Sequence, residues 1–341
     1  MQSPNPPNEK ILGMPFDVVG IGNAIVDVIS HETEQFLQEF DLVKESMALI
    51  DVDMANRIYN SMNPTIQTSG GSAANTVAGI ASLGGTAGYI GKVRNDYLGD
   101  VFTHDIQAAG VHYPVQASED GLPTARSMII VTPDGARTMN TFLGISTTLY
   151  EKDLDVALIE QSKVLYCEGY IWDIDTTKET IRTAIDIARE AGNKISFTLS
   201  DSFCVQRHHA DWVDLVNGPI DILFGNEEEI QALSGCGSFD AAVDWIKGRV
   251  EIACLTRAEN GSVIVTQEKI IDVKPKPVAQ IVDSTGAGDL YAAGFLYGYT
   301  QNLDLEMCGR IGSVVASEVI IHTGARPLSS LQDVVSMELH S

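Results

Sequence analysis

The feature that most limits what this chain can fold into is a repeated alternation of short apolar runs with longer amphipathic segments. The apolar runs contain too few polar positions to face water, so they are predicted to be strands buried on both faces. Strand–helix–strand repetition predicts an α/β fold with a mostly parallel sheet covered by helices. The predicted strands are 17–22, 88–91, 127–132, 163–167, 195–199, 220–224, 252–256 and 262–266.

The clearest helix pattern follows the predicted strand 163–167. Thr176 and Glu179 have the spacing of a capping box, in which two side chains satisfy the first backbone N–H groups of a helix. Gly192 is placed to end the helix. The residues between them that share one face are Ile181, Ala184, Ile185 and Ala188.

Two segments break the strand–helix rhythm, and both flank glycine-rich stretches. The second contains Thr132-Pro133-Asp134-Gly135 between two β-like runs, which predicts a hairpin turn. We interpret the two segments as a small β-rich lid beside the main sheet. The predicted division is a disordered tail at 1–15, an α/β core at 16–27, 69–110 and 147–330, a lid at 28–68 and 111–146, and a C-terminal tail at 331–341.

The charge of the chain excludes some classes of partner. There are 46 acidic and 22 basic residues, which gives a formal net charge of −24. Nucleic-acid binders need a basic surface to displace counterions from phosphate, and anionic membranes attract basic segments, so neither partner is expected. A small anionic ligand remains compatible if its site is locally positive.

Two further observations bear on location. No apolar run approaches the roughly 18 residues that a membrane helix needs, and the N-terminal MQSPNPPNEK lacks the apolar stretch of a signal peptide. The five cysteines are an odd number without a C-x-x-C pair, which argues against a disulfide framework and a zinc site. Reduced thiols in a cytoplasmic protein are the expectation.

Several common motifs are absent from the sequence. Gly91-Lys92 is followed by Val93, so the P-loop fingerprint is not met, and Gly20-Ile21-Gly22 lacks the third glycine of a dinucleotide-binding turn. H-E-x-x-H and G-x-S-x-G do not occur. Zinc-hydrolase, serine-hydrolase and dinucleotide chemistry are therefore disfavoured.

The strongest chemical signal is the segment 283–289, DSTGAGD, which runs into an apolar helical pattern. Gly286, Ala287 and Gly288 leave the backbone N–H groups at the start of that helix uncovered, which makes a ready anion site. Such donors stabilise charge on a transferring phosphoryl group. Asp289 in the first turn has the chemistry to accept a proton from an attacking hydroxyl. The alternative is that Asp289 only complements the helix dipole.

A second glycine-rich segment, 70–75, also opens a helical pattern. Gly70 and Gly71 permit close backbone approach to a ligand, and Asn75 offers both a donor and an acceptor, which suits a polyol. The alternative is a tight loop in which Ser72 caps the helix.

The two segments together resemble the signatures of the ribokinase-like (PfkB) carbohydrate kinases: G-G-x-x-x-N at 70–75 and D-x-x-G-A-G-D at 283–289. The resemblance extends from about residue 16 to residue 325. It implies a three-layer α/β/α core with a mostly parallel central sheet, a small β-rich lid, and transfer of the γ-phosphoryl group of ATP to a sugar or nucleoside hydroxyl. ATP and Mg²⁺ are implied as cofactors. Some members also use a monovalent cation, for which no site is located here.

The resemblance implies roles at matching positions of the nucleotide side. Asp289 looks like the catalytic base, and the amides of Gly286, Ala287 and Gly288 look like the anion hole. Asn226 and Glu229 match an N-x-x-E pattern that holds Mg²⁺ and phosphates largely through water; the alternative is an acidic first helical turn. Thr256 and Gly261 belong to a segment that resembles the nucleotide loop, in which Ala258 stands where glycine is usual. Ala316 resembles the adenine wall, although a small apolar residue there also fits plain core.

Further roles are implied on the acceptor side. Asn23 and Asp27 follow the first predicted strand, where the family uses an acid to hold sugar hydroxyls. A carboxylate accepts from two neighbouring hydroxyls, as a ribose diol demands, and the alternative is a solvated loop acid. Gly70, Gly71, Ser72 and Asn75 complete the expected acceptor site. Arg137 resembles a lid arginine that reaches the phosphates.

Within the family, the nearest resemblance is to adenosine kinases and related bacterial proteins, through the segment 22–27 and through Phe203, whose counterpart borders a purine. Phe142, Tyr170 and Trp172 are further candidates for a flat apolar wall, and each also fits the core. We predict phosphorylation of the 5′-hydroxyl of adenosine. The alternatives are another nucleoside, a free sugar such as ribose or fructose, or a non-catalytic binding relative. A monomer and a homodimer both remain open, because a β-rich lid either pairs edge to edge or has its outer face capped.

Overall fold

The computed structural model describes residues 16–339, and two sheets organise that part of the chain. The strands are β1 (Phe16–Ile21), β2 (Ile25–His31), β3 (Met47–Leu49), β4 (Ile66–Gly70), β5 (Ala87–Ile90), β6 (Ala125–Val131), β7 (Arg137–Phe142), β8 (Ser162–Glu168), β9 (Lys194–Thr198), β10 (Ile222–Asn226), β11 (Ile252–Thr256), β12 (Ser262–Val265) and β13 (Ile270–Val273).

Helices fill the connections between these strands. They are α1 (Glu34–Glu39), α2 (Val52–Ser61), α3 (Ser72–Ser82), α4 (Tyr97–Ala108), α5 (Val156–Glu160), α6 (Asp175–Glu190), α7 (Ser202–Arg207), α8 (His209–Val216), α9 (Glu227–Ser234), α10 (Phe239–Ile246), α11 (Ala287–Thr300), α12 (Leu305–Val319) and α13 (Leu331–Leu339). Among the helices of residues 16–339, none has the length and apolar character to span a bilayer.

The large sheet has the order β13-β12-β11-β10-β9-β8-β1-β5 and is parallel from β11 to β5. Its strands are apolar at successive positions because both faces are covered. Val18 and Val164 pack with α3, α11 and α12, whereas their neighbours Val19 and Leu165 pack with the helices α5 to α10. The predicted three-layer α/β/α core with a mostly parallel sheet is confirmed, and so are all eight predicted strands.

The second sheet, β3-β7-β6-β2-β4, forms the lid. The helices α1 and α2 cover its outer face, where Met128, Ile130 and Phe142 are buried. On the inner face a small cluster contains Ile29, Ile129, Val131 and Met139. The strand β6 is thus apolar on both sides, which explains why its sequence lacks alternation.

The structure draws the predicted boundaries differently. The chain passes from core to lid at 22–24, since β2 begins at Ile25, and not at 27–28 as predicted. The first lid segment extends to Gly70, where β4 ends, and not only to 68. The segment from 111 belongs to the core edge, since His112 and Ser118 bridge to the strand region of Gly88 and Arg94, and the lid resumes at β6. Residues 331–339 are helix α13, with Leu331 and Val335 buried, rather than a tail. The prediction for 1–15 lies outside the described residues.

The predicted capping box is also wrong. Helix α6 begins at Asp175, one residue before Thr176, and its N-cap Ile174 makes no side-chain bond. Near the start, the hydroxyl of Thr177 lies 2.6 and 2.7 Å from the carbonyl oxygens of Ile171 and Ile174, and its single hydrogen is shared between these two acceptors. The preceding turn is thus in contact with the first turn of this helix. Gly192 ends it as predicted, with φ of 82°.

Candidate active site

The carboxyl ends of β1, β8 and β10 meet at one edge of the large sheet, where ligands bind in open α/β folds. Helix α11 starts beside this edge. Gly286 precedes it with φ of 79°, a conformation that favours glycine, and no side chain in the described range 16–339 caps the helix. A Cβ at Gly288 would meet nothing within 4 Å. The first turn of α11 is therefore open to a ligand.

One amide of the predicted anion hole is engaged. The N–H of Ala287 donates to the carbonyl oxygen of Ser284 at 3.1 Å, which closes the turn ahead of the helix. Within residues 16–339 this leaves the N–H groups of Gly286 and Gly288 as the free pair. The role of all three amides stays a prediction, and the structure shows that only the Ala287 amide already has an internal acceptor among residues 16–339.

Asp289 joins the two glycine-rich segments. Its Oδ1 accepts from the hydroxyl of Ser72 at 2.6 Å, and its Oδ2 accepts from Nδ2 of Asn75 at 2.9 Å. Both donors lie in the first turn of α3. Burial raises the pKa of Asp289, and the two hydrogen bonds and Arg326 lower it. Ser72 is thus a partner of the proposed base rather than a helix cap.

Asp27 lies on β2 directly against the glycine pair. A Cβ at Gly70 would be 2.5 Å from a carboxylate oxygen of Asp27, so only glycine fits there. Burial raises the pKa of Asp27 to about 7, while Arg326 and Arg137 lower it. The charges of Asp289 and Asp283 also raise this pKa, which places Asp27 in one electrostatic cluster with the start of α11.

Two buried amide atoms near this cluster have no hydrogen-bond partner within residues 16–339. They are Nδ2 of Asn23, a donor, and Oδ1 of Asn75, an acceptor. The two residues are 3% and 5% exposed. Buried polar groups are almost always satisfied, so the unpaired donor and acceptor point to a hydroxylated ligand.

Arg137 reaches from the lid to the core. Its Nη1 lies 2.5 Å from Oδ2 of Asp283, in an ion pair that is nearly buried on both sides. Asp283 also accepts from the N–H groups of Thr285 and Gly324 at 3.0 and 2.8 Å. The second terminal nitrogen of Arg137, Nη2, is buried without a partner in the described chain. It is a donor available to a phosphate oxygen.

Asn226 and Glu229 form a reciprocal capping box at the start of α9. Asn226 Oδ1 accepts from the N–H of Glu229 at 2.9 Å, and the carboxylate of Glu229 accepts from the N–H and Nδ2 of Asn226 at 2.9 and 2.7 Å. Burial raises the pKa of Glu229 to about 7, and the charge of Asp289 contributes. Because the side chains of Asn226 and Glu229 already hydrogen-bond to each other and to each other's backbone, contact with a metal through water fits them better than direct coordination.

The other predicted residues lie on β11, on the loop that follows it, on α12 and on α7, and the structure records no contact between them and Asp289 within residues 16–339. Thr256 ends β11, and Gly261, with φ of 82°, turns the chain into β12. Ala258 has φ of 47°, so an alanine holds a conformation that suits glycine. Ala316 is partly buried on α12. Phe203 is 69% exposed on α7.

Two of the aromatic candidates are core residues. Phe142 packs under the lid helices and Trp172 is fully buried beneath α6. Tyr170 lies in the turn after β8, and its hydroxyl donates to the carbonyl oxygen of Ser200 at 3.2 Å. Burial raises the pKa of Tyr170, and the charges of Asp201 and Asp289 add to that effect.

Two important residues were missed by sequence reasoning. Glu168, which is 1% exposed, accepts from the N–H groups of Asn23 and Ala73 at 2.7 and 2.8 Å and so holds the connections before β2 and after β4. An acid directly after a buried strand was the available signal. Arg326 binds Ser69 and Ala74, and nothing local in the sequence marks it.

Comparison with known proteins is consistent with this geometry. Residues 48–331 match the family model described as pfkB family carbohydrate kinase. The chain is 46% identical to the adenosine kinase from Sinorhizobium meliloti, over 95% of this chain and 99% of that one, with a TM-score of 0.89. It is 45% identical to a probable sugar kinase from Rhizobium etli CFN 42, with the same coverage and a TM-score of 0.89. It is also 29% identical to an uncharacterized sugar kinase of Archaeoglobus fulgidus, over 73% of this chain and 96% of that protein.

Proposed function

The chain belongs to the pfkB family of carbohydrate kinases, and on that premise we propose that it transfers the γ-phosphoryl group of ATP to the 5′-hydroxyl of adenosine. The observation that carries the proposal is the placement of Asp289, which lies at an uncapped helix start and is held by Ser72 and Asn75. That arrangement puts a carboxylate beside amides suited to an anion, as transfer to a hydroxyl requires.

The proposed step is a single displacement. The acceptor hydroxyl gives its proton to Asp289 while its oxygen forms a bond to the γ-phosphorus, and the bond between that phosphorus and the bridging oxygen breaks to release ADP. The N–H groups of Gly286 and Gly288 and the free Nη2 of Arg137 stabilise the charge on the transferred group. Raising the pKa of Asp289 by burial makes it a better proton acceptor.

The electrostatics fit a divalent cation. The cluster holds four carboxyl groups, Asp27, Glu229, Asp283 and Asp289, against two arginines, so it offers phosphates no surplus of positive charge and a divalent cation suits them. Asn226 and Glu229 would hold Mg²⁺ through water. When bound, Mg²⁺ supplies charge neutralisation on the phosphates.

The inner face of the lid favours a nucleoside over a free sugar. Three rows of side chains cross it: Asp27, Ser127 and Thr141, then Ile29, Ile129 and Met139, then Val131 and Arg137. The first row is polar, with Ser127 and Thr141 hydrogen-bonded at 2.9 Å, and suits ribose hydroxyls together with Asn23. The second row is apolar, and with Tyr170 it suits the face of a base.

The experiment is a panel of nucleosides and free sugars with release of ADP as the readout. We expect the highest kcat/KM for adenosine, and 5′-deoxyadenosine should inhibit without turnover because it lacks the accepting hydroxyl. The variant Ile129→Ser should raise the KM for adenosine and leave any activity on ribose unchanged, since ribose has no base.

Other outcomes would favour the other candidates. A higher kcat/KM for ribose or fructose would replace adenosine with a free sugar, in keeping with the sugar kinases among the relatives. Thermal stabilisation by adenosine and ATP without turnover of any acceptor would favour a binding protein.

A further inference from the structure

The segment that follows α12 contacts the phosphate side of the site. Gly324 donates its N–H to Oδ2 of Asp283 at 2.8 Å, and the same carboxylate holds the lid residue Arg137 at 2.5 Å. Ala325 packs against the turn before α11, where a Cβ at Gly286 would lie 2.6 Å from the Cβ of Ala325. The first two residues of this segment therefore touch the turn that presents the free amides.

Arg326, the next residue, contacts the opposite side of the site. Its Nε donates to the carbonyl oxygen of Ser69 at 3.0 Å, and its Nη1 donates to the carbonyl oxygen of Ala74 at 2.8 Å. Its Nη2 donates to the hydroxyl of Ser69 at 3.0 Å. The guanidinium thus bridges the two ends of the Gly70–Gly71 turn, and its planar fork suits three acceptors in a fixed arrangement.

The bridged turn determines where the acceptor side lies. Ser72 lies between the bridged residues Ser69 and Ala74, and Asn75 follows Ala74. Both donate hydrogen bonds to the carboxylate of Asp289. Contacts therefore run without a break from Asp283 and Gly286, through residues 324–326, to the turn that carries the acceptor site. Coupling between sites travels through contiguous packing and hydrogen bonds of this kind.

We propose that Arg326 is a positioning residue that couples binding of the phosphoryl donor to binding of the acceptor. The inference rests on the proposed function, because it concerns the donor and acceptor of that reaction. Arg326 itself contacts the backbone and a serine of the chain, so its effect is exerted through the Gly70–Gly71 turn.

The test measures the affinity of the wild type for the non-hydrolysable ATP analogue AMP-PNP with and without saturating adenosine. We expect saturating adenosine to raise the affinity for AMP-PNP by about 5- to 150-fold. In Arg326→Lys this factor should fall towards 1, because lysine keeps the positive charge near Asp27 and Asp289 but cannot bridge three acceptors. The affinity for AMP-PNP alone should change little. Arg249→Gln, which removes an exposed arginine bonded to Trp245 and Asn217, should leave the factor unchanged.

A structural role alone would lower the melting temperature and weaken both ligands without changing the factor between them. An unchanged factor in Arg326→Lys would therefore overturn the inference, as would a wild-type factor of 1. If Arg326→Lys does not melt cooperatively, Arg326→Gln is measured in its place, and failure of both to fold would also overturn it. Failure of the proposed function has a different signature: no turnover of adenosine by the wild type, in which case the factor is measured with the acceptor that the panel identifies.

Discussion

The two glycine-rich turns of the site use glycine for opposite purposes. At the start of α11, a Cβ on Gly288 would meet nothing within 4 Å. At the start of α3, a Cβ on Gly71 would lie 2.3 Å from the carbonyl oxygen of Asn23, and one on Gly70 would lie 2.5 Å from Asp27. Gly288 of the first turn is thus open to a ligand, although its neighbour Gly286 packs on Ala325, whereas both glycines of the second turn let the protein pack on itself.

The difference shows why similar patterns carry different information. At the start of α11, Gly288 leaves the amides open to an anion, which is a functional requirement, while Gly286 makes the left-handed turn that packs on Ala325. In the turn before α3, they bring Asp27, Asn23 and the first turn of the helix together, which is a packing requirement with functional consequences. Asp289 lies where the two turns meet.

The largest effect should come from the residue that joins the turns. Asp289→Asn removes the proton acceptor but keeps the size of the side chain, so kcat should fall by about 10²- to 10⁴-fold. Binding of AMP-PNP should be retained, and calorimetry would check it. Asp304→Asn, at the N-cap of α12, is the matched control and should have full activity. Full activity in Asp289→Asn would rule out its role as the base.

Gly71→Ala tests the packed turn. The substitution adds backbone strain at φ of 97° and a clash with the carbonyl oxygen of Asn23, so the free energy of unfolding should fall by at least ~2 kcal/mol. Denaturant titration measures this. Gly192→Ala, at φ of 82° in open space, isolates the strain and should cost about 1 kcal/mol. Equal losses in the two variants would mean that the close approach to Asn23 contributes nothing.

Gly288→Ala tests the open turn and should separate activity from stability. The added methyl group lies over the amides where phosphate would bind, so kcat should fall by about 10-fold or more. Stability should rise by up to ~1 kcal/mol, because alanine is the better helix residue and nothing obstructs it. A parallel loss of stability and activity would show that the two turns do not differ as described.

The packed turn should also leave a signature in the dependence of stability on pH. The pKa of Asp27 is raised from 3.8 to about 7 by burial, so the folded protein keeps a proton that the unfolded chain has lost. Its contribution to the free energy of unfolding is therefore fully present below about pH 4 and is lost as the pH rises through 7. The difference between the wild type and Asp27→Asn should follow that decline.

Asp134 is the control for this measurement, because its contribution to stability should change with pH in the opposite direction. Lys44 lowers the pKa of Asp134 through a hydrogen bond, so any contribution from Asp134 should be lost as the pH falls. A difference between the wild type and Asp27→Asn that does not vary between about pH 4 and 8 would contradict the raised pKa.

The smallest effect is expected at Ala258, where a position suited to glycine holds alanine. Ala258 has φ of 47°, so Ala258→Gly should relieve about 1–2 kcal/mol of backbone strain. Part of this is lost to the greater entropy of glycine in the unfolded chain, so the free energy of unfolding should rise by less than about 1 kcal/mol. Thermal unfolding measures the gain. Asn302→Gly, at φ of 60° in a residue that tolerates this region, should gain less. A loss of stability in Ala258→Gly would show that alanine is unstrained there.

Most of the fold and part of the site could be predicted from local patterns. Each of the eight apolar runs coincides with a strand, because a strand buried on both faces has apolar residues at successive positions. The two glycine-rich segments marked the helix starts that meet at Asp289. The capping box at Thr176 was wrong because α6 begins one residue earlier, beside a turn whose carbonyl oxygens the Thr177 hydroxyl contacts. The tail predicted at 331–339 was wrong because a short amphipathic helix resembles a polar tail until the core is known.

The sequence by itself determined the layers, the lid and the residue types at the two turns, since each depends on neighbours within a few positions along the chain. Tertiary structure alone decided which groups remain free among residues 16–339: the amide of Ala287 is used internally, Phe142 faces the lid helices, and Nη2 of Arg137 is unpaired. It also decided that Glu168 and Arg326 hold the connections before β2 and after β4. Those contacts join residues 145 and 257 positions apart, and no local periodicity records a hydrogen bond across such a distance.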